Sequence, residues 1–301
     1  MYNLFYFRSL AVVVLVFLFT CSSLYAQEPR FTIAPRIGYG VQNLDWSIAG
    51  NLDGTSPNVF SELIWDQIQG MNYGIQGTIR ILPKLDIVLE GDYQKTRRGS
   101  ARDTDYDFDN RTGPFYDEQF SSDEGYFYNF RVSARYVLPD LGPVSPRLLL
   151  GYEQLGNELF LLPLADGSSD PDVRTIYQTD WYGGQMALEL AYAYDSFYAL
   201  GSYGFGLFDY KAKANWNLRD EFQQPVSFRH SALGLKHNGV LRLGYQVHPA
   251  VAIELSGHYT SAFTNQGLDE LYTRNEGTKY TRLNGANLSQ YSGSLGLRFT
   301  F

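Results

Sequence analysis

Residues 101–110, ARDTDYDFDN, set Asp103, Asp105, Asp107 and Asp109 at every second position. In extended backbone, residues two apart point the same way, so Asp103 and Asp105 would form a carboxylate pair able to hold and polarise a water if a base faced them. A calcium loop also uses oxygens at alternate positions, but it needs a glycine at the sixth and a bidentate acid at the twelfth. Counted from Asp103, those places hold Phe108 and Pro114, so no metal site is expected. The remaining reading is a solvated acidic loop. Which of these applies depends on the elements that carry the loop.

The chain opens MYNLFYFRSLAVVVLVFLFTCSSLYA, with one positive charge at Arg8, an apolar run from Leu10 to Phe19 and small residues ending at Ala26. That order is the pattern of a secretory signal peptide over residues 1–26, which leaves 27–301 as one exported domain. Cys21, the single cysteine, falls within the leader, so no disulfide or thiolate chemistry is expected of the exported part. A lipoprotein with Cys21 as its lipidated first residue is the second reading, but Thr20 departs from the small residue usual before such a cysteine. The whole chain carries 24 basic and 32 acidic residues, a net charge of −8, and nucleic acid is not an expected partner. Aromatics make up 16 % of it, with 29 Gly and 3 Met, a composition that points to β structure and, in an exported chain, to an outer-membrane barrel.

Apolar and polar residues alternate with period two in ten separate segments, each near the length a tilted strand needs to cross a bilayer. The first sets Ile33, Ile37 and Tyr39 against Thr32 and Arg36; the second sets Met71, Tyr73, Ile75 and Ile79 against Asn72, Gln76 and Arg80. Leu85 to Tyr93, Tyr126 to Leu138, Leu148 to Tyr152, Met186 to Tyr194, Tyr203 to Leu207, Leu241 to Val247, Val251 to Tyr259 and Tyr291 to Phe301 follow the same rule. An even number of antiparallel strands can close without leaving an edge unpaired in lipid. The expected fold is therefore all-β: a closed ten-stranded antiparallel transmembrane β-barrel with its apolar set facing lipid.

The connections are short near residues 83, 139–146, 195 and 249, and long near 48–58, 96–122, 160–176, 211–232 and 264–288. Short periplasmic turns and long extracellular loops are the expected asymmetry in the outer membrane of a Gram-negative bacterium, with both termini periplasmic. A soluble β-sandwich would not put charges on the inner face of most strands. Glu90, Arg131, Arg135, Glu153, Glu189, Arg242, Glu254 and Arg298 fall at similar height on that face and predict a hydrogen-bonded plug in a narrow lumen. Trp46, Trp65, Tyr106, Phe115, Tyr116, Trp181 and Trp216 lie near the rim, where a membrane-interface girdle is the expected role and an adhesive surface the alternative.

These residues resemble the omptins, outer-membrane endopeptidases whose loops hold a water between an aspartate pair and an Asp-His dyad. The resemblance rests on the ten strands, on Asp103, Asp105 and Tyr106, on Asp117 and Glu118, and on Asp220, Glu221 and Pro225. It implies Asp103 and Asp105 as the pair and Asp220 as the acid of the dyad. Two residues after that acid, where the family has its histidine, stands Phe222, which cannot accept a proton; Ser121 stands near the place of the other loop histidine. Of the four histidines, His248 is assigned to a turn, His237 shares parity with lipid-facing residues and His258 faces the lumen, so His230 is the candidate for a displaced base.

The stretches SPNVFSELIW (56–65), DTDYDFDNRTGPF (103–115) and NWNLRDEFQQPVSF (215–228) are similar to the family called Protochlamydia outer membrane protein, omptin-like barrels taken to be porins. The function expected from residues and resemblance together is a non-enzymatic outer-membrane barrel, either a narrow porin-like channel or a surface-exposed interaction protein. The alternative is an omptin-type aspartyl endopeptidase using Asp103, Asp105 and Asp220. Outer-membrane lipid is the expected partner, with lipopolysaccharide a candidate. No nucleotide, haem or thiol motif occurs, and no cofactor is expected.

Overall fold

The computed structural model describes residues 30–301, so the leader expected over 1–26 lies outside the described residues. Twelve strands follow in chain order: β1 (Phe31–Ile48), β2 (Ser61–Leu82), β3 (Leu85–Phe108), β4 (Thr112–Ser121), β5 (Tyr126–Val137), β6 (Val144–Leu161), β7 (Thr175–Tyr194), β8 (Phe197–Asn215), β9 (Phe228–His248), β10 (Val251–Thr264), β11 (Gly267–Thr273) and β12 (Gly277–Thr300). Ten of them pair antiparallel in a ring, β1-β2-β3-β5-β6-β7-β8-β9-β10-β12, and β12 closes back on β1 from Thr32↔Thr300 to Ile48↔Leu283. Each of the ten alternating segments is one strand of this ring. β4 folds back on the upper part of β3, and β11 prolongs the line of β10 past a break at 265–266, keeping its pairing with β9 and β12.

Several strands are about twice as long as a bilayer crossing requires: β2 has 22 residues, β3 and β12 have 24. The excess all lies at the end bearing the long connections, called the upper end below. Segments read from sequence as loops, 96–122 and 264–288, are largely strand there.

The parity of the apolar residues inverts where the strands leave the bilayer. In β1, Ile37 and Tyr39 point outward, whereas Leu44 and Trp46 are buried inside. In β6, Leu148, Leu150 and Tyr152 are outside, but Leu155, Leu159 and Leu161 are inside; in β8, Phe205 and Leu207 are outside, Phe208 and Tyr210 inside. Against lipid, a strand satisfies its surroundings by turning apolar side chains outward; above the membrane, water demands the reverse.

The two halves are accordingly filled by different chemistry. In the membrane half, Arg36 meets Glu90 at 2.9 Å and Asp92 at 2.7 Å, Arg131 bridges Glu90 and Glu153 at 3.2 and 3.0 Å, and Lys236 reaches Glu153 at 2.7 Å. Lower down, Arg135 meets Asp86 at 2.7 Å, Arg147 meets Glu189 at 2.8 Å and Arg298 meets Glu254 at 2.8 Å. The cavity among Asn72, Glu90, Arg131, His258 and Gln290 measures about 30 Å³, space on the order of one or two waters. The mixed-sign belt is thus a packed ionic plug.

Above it sits the apolar core, with Trp65, Trp181, Tyr177 and Tyr210 fully buried. Trp65 stacks on Tyr177 at 5.0 Å between ring centroids, and Trp181 lies 4.5 Å from Tyr210. This corrects the girdle reading for the tryptophans: Trp46, Trp65 and Trp181 on the strand extensions above the bilayer, where inward is the apolar side, and Trp216 just past the end of β8 are all interior.

Candidate functional site

At the top of the barrel the apolar core opens into a cleft of about 370 Å³. Strand β3 brings Asp103 and Asp105 to it on one face, as their spacing requires. Phe60, Tyr116, Trp216, Phe228 and Leu271 contribute apolar wall, and Asp269 and Arg219 contribute charge. Asp103 is only 5 % exposed. Burial, reinforced by the neighbouring Asp105 carboxylate and opposed by Arg219, pushes its acid group up to about 8. Burial also raises Asp105, against a hydrogen bond with Ser61 and the charge of Arg219. At neutral pH the pair therefore holds a proton on Asp103, the arrangement in which one carboxyl can donate while its neighbour accepts.

The other two aspartates of the run have left the site. A bulge between Asp105 and Tyr106 shifts the register of the pairing with β4, and Asp107 is exposed beyond it. Asp109 fixes the hairpin tip: its carboxylate accepts from the Asn58 amide at 2.7 Å, and its carbonyl accepts from the Thr112 hydroxyl at 2.8 Å. Asp117 pairs with Arg102 on the outside at 2.5 Å. Glu118, opposite Asp103 in the β3–β4 ladder, and Asp170 line a side chamber of about 60 Å³ together with Asp103. Among the described residues, no group of three or more His, Cys, Asp or Glu side chains could hold a metal ion.

Asp220 is exposed on the β8–β9 connection and does not line the cleft. Phe222 does, on a segment bridged to Thr273 of β11. The histidine brought to this region is His230, which is not solvated but buried among Trp46, Tyr177 and Phe228. Its Nδ1 is 2.9 Å from the Tyr177 hydroxyl, which lies 2.6 Å from that of Tyr210. Its Nε2 lies 3.1 Å from Oδ1 of Asp269. Asp269 is the neighbour in register of both His230 on β9 and Thr281 on β12, and its Oδ2 accepts from the Thr281 hydroxyl at 2.9 Å. Asp269, supplied by β11 and backed by the buried His230, thus lines the same cleft as the aspartate pair. Sequence reasoning missed Asp269; the signal was the inward alternation of β10, resumed at Gly267, Asp269 and Leu271 after the break at 265–266.

The family model for Protochlamydia outer membrane protein matches residues 35–301, the whole ring but for its first few residues. The chain belongs to this family. No curated protein sequence matches it. Among solved structures, outer membrane protease OmpT of Escherichia coli superposes with a TM-score of 0.73 at 14 % identity, over 93 % of this chain and 99 % of OmpT. OprG of Pseudomonas aeruginosa is similar at a TM-score of 0.38 and 11 % identity, over 91 % of this chain and 97 % of its own. The likeness to OmpT carries the fold alone. Membership of the Protochlamydia outer membrane protein family, with this fold, puts the chain in the outer membrane as a β-barrel.

Proposed function

We propose that this family member is a surface-exposed binding barrel that works at its rim, with the long loops extracellular and the termini periplasmic, and that its ligand is cationic and partly apolar. The observation that carries this reading is the cleft of about 370 Å³ in which Asp103, Asp105 and Asp269 stand among aromatic walls above a filled barrel. With Asp103 holding its proton, the carboxylates of Asp105 and Asp269 stand against the one guanidinium of Arg219 and favour a positive group, and the faces of Trp46, Trp216 and Phe228 offer cation–π and apolar contact. A basic polypeptide segment has that chemistry. The ionic plug and the aromatic core argue against the porin half of the expectation.

The partner in the membrane is lipid. Lys95, Arg97 and Arg98 are exposed just above the stacked girdle pair Tyr93 and Tyr126, at the height where the phosphates of lipopolysaccharide would lie.

The direct test uses the fluorescence of Trp46 and Trp216. Titration of the refolded barrel with an oligo-arginine peptide carrying a flanking phenylalanine should give a saturable change, and an acidic peptide of equal length none. The double change Asp103→Asn, Asp105→Asn should weaken the basic peptide at least about ten-fold. Equal response to both peptides would refute the reading.

A second reading, an endopeptidase, is favoured by one observation: Asp103, its acid group raised by burial beside the Asp105 carboxylate, shares the cleft with Asp269, an aspartate backed by a histidine. In that chemistry Asp105 takes a proton from a water while Asp103 gives one to the carbonyl oxygen of the substrate. His230 is hydrogen-bonded through Nδ1 to Tyr177 and has Nε2 3.1 Å from Asp269, so Asp269 is the group it would act through. Cleavage of a mixed peptide library, read by mass spectrometry, should then be abolished by Asp105→Asn; cleavage surviving that change removes the pair from the mechanism.

A further inference from the structure

The β8–β9 connection carries one base into the cleft, and among the described residues that base has no acid paired to it. We propose that Arg219 is an anchor for a carboxylate, and that the cleft accordingly takes the free carboxy-terminal end of a basic polypeptide, not an internal stretch of one. The inference deepens the binding reading above by naming the part of the ligand that enters, and it rests on that reading.

Arg219 is placed by its backbone. Its amide donates to the Trp216 carbonyl at 3.2 Å and its own carbonyl accepts from the Phe222 amide at 3.0 Å, while the Gln224 side chain donates to the same Trp216 carbonyl at 2.7 Å. The half-buried guanidinium lies over the ring of Tyr116, 5.5 Å from its centroid. Elsewhere arginines meet carboxylates: Arg36 and Arg131 in the plug at 2.7 and 3.0 Å, and Arg174 at the rim at 2.7 Å. The charge of Arg219 is felt at Asp103 and Asp105, yet among the described residues no carboxylate lies within ion-pair distance of it and no acceptor takes its side-chain hydrogens. Its N–H groups form a fork that matches a carboxylate, and donors left without an acceptor cost free energy that a ligand's carboxylate offsets. Asp103 adds a donor on the same wall: it is 5 % exposed, has no hydrogen-bond partner among the described residues, and holds its proton at neutral pH.

Charge and size then select a chain end. The cleft offers two carboxylates, Asp105 and Asp269, and one guanidinium, so its complement carries positive groups and one negative group. An internal run of basic residues supplies only the first. A basic residue at the carboxy terminus supplies both, its side chain for the aspartates and its α-carboxylate for Arg219. The volume of about 370 Å³ is near the lower end of small-molecule sites, about 300–1,000 Å³, and suits a chain end better than an extended strand passing through. The floor is closed by the buried Trp46 and Phe228, and past Asp103, Tyr116, Trp216 and Arg219, which line both spaces, lies the side chamber of about 60 Å³.

The test compares two forms of one peptide, acetyl-phenylalanyl-triarginine as the free acid and as the carboxy-terminal amide, titrated calorimetrically into the whole refolded barrel at about pH 7 and fixed ionic strength. The amide carries one more net positive charge, so attraction by net charge alone would favour it. The expected result is the reverse: the free acid binds about ten-fold more tightly. That preference should vanish in Arg219→Gln, with no loss of affinity for the amide, and shrink in Arg219→Lys, which keeps the charge but not the fork. The sign of the preference is read on the unmodified chain and needs no variant to fold. An amide bound as tightly as the acid, or an acid preference that survives Arg219→Gln, would overturn the anchor and leave the binding reading standing. Binding of neither form would sink the binding reading and the anchor with it.

Discussion

Asp103 illustrates how a side chain's surroundings change its chemistry. Its spacing from Asp105 is legible in the sequence, and period two alone predicts that the two share a face. What the sequence does not carry is their depth: Asp103 is buried and protonated up to about 8, while Asp107 and Asp109, identical in type and parity, sit past a bulge in water. The folded acid group titrates far above its ordinary value of 3.8. The folded state therefore holds the proton more tightly than the unfolded chain, and the resulting stabilisation is full below about pH 4, declines as pH rises and is lost above about 8. Protection of the β3–β4 hairpin against proteolysis should accordingly fall between about pH 4 and 8, and Asp103→Asn should flatten that fall; an unchanged pH dependence in the variant would place the titrating group elsewhere. Asp220 marks the opposite case, a residue read from a short motif in an irregular segment, where no periodicity says which way a side chain points.

The ten membrane strands are legible because lipid imposes one rule on all of them, apolar outward at every second residue. Their upper extensions look like loops in the sequence because the rule inverts there, and outward alternation ends where the bilayer ends. The inversion is itself written in the chain: Leu44 and Trp46 after Ile37 and Tyr39, or Tyr177 and Trp181 before Met186 and Leu188, change parity within a few residues. The position of that change marks the membrane surface on each strand. It also sets what a substitution costs. Trp65 is fully buried and stacked on Tyr177, so Trp65→Ala should destabilise the barrel by about 3–5 kcal/mol in urea unfolding from detergent. Leu207→Ala, on a side chain 71 % exposed toward lipid, should cost much less. Equal costs would mean that the upper interior is not a packed core.

At the level of the whole molecule, the barrel is filled twice, by ions within the membrane and by aromatic rings above it. The inward charges were legible as a plug because ten strands enclose little more than their own side chains. The second filling was not, since it is built from residues assigned to the rim. Together they move the working part of the protein to the cleft at its top. The claim that follows is testable by planar-bilayer recording of the refolded, purified barrel in symmetric salt. The account predicts no stepwise openings at moderate voltages, because Arg36, Glu90, Arg131, Glu153 and Lys236 occupy the lumen in a continuous network of ion pairs. Reproducible unitary conductance from the unmodified chain would contradict it and return the protein to the porins.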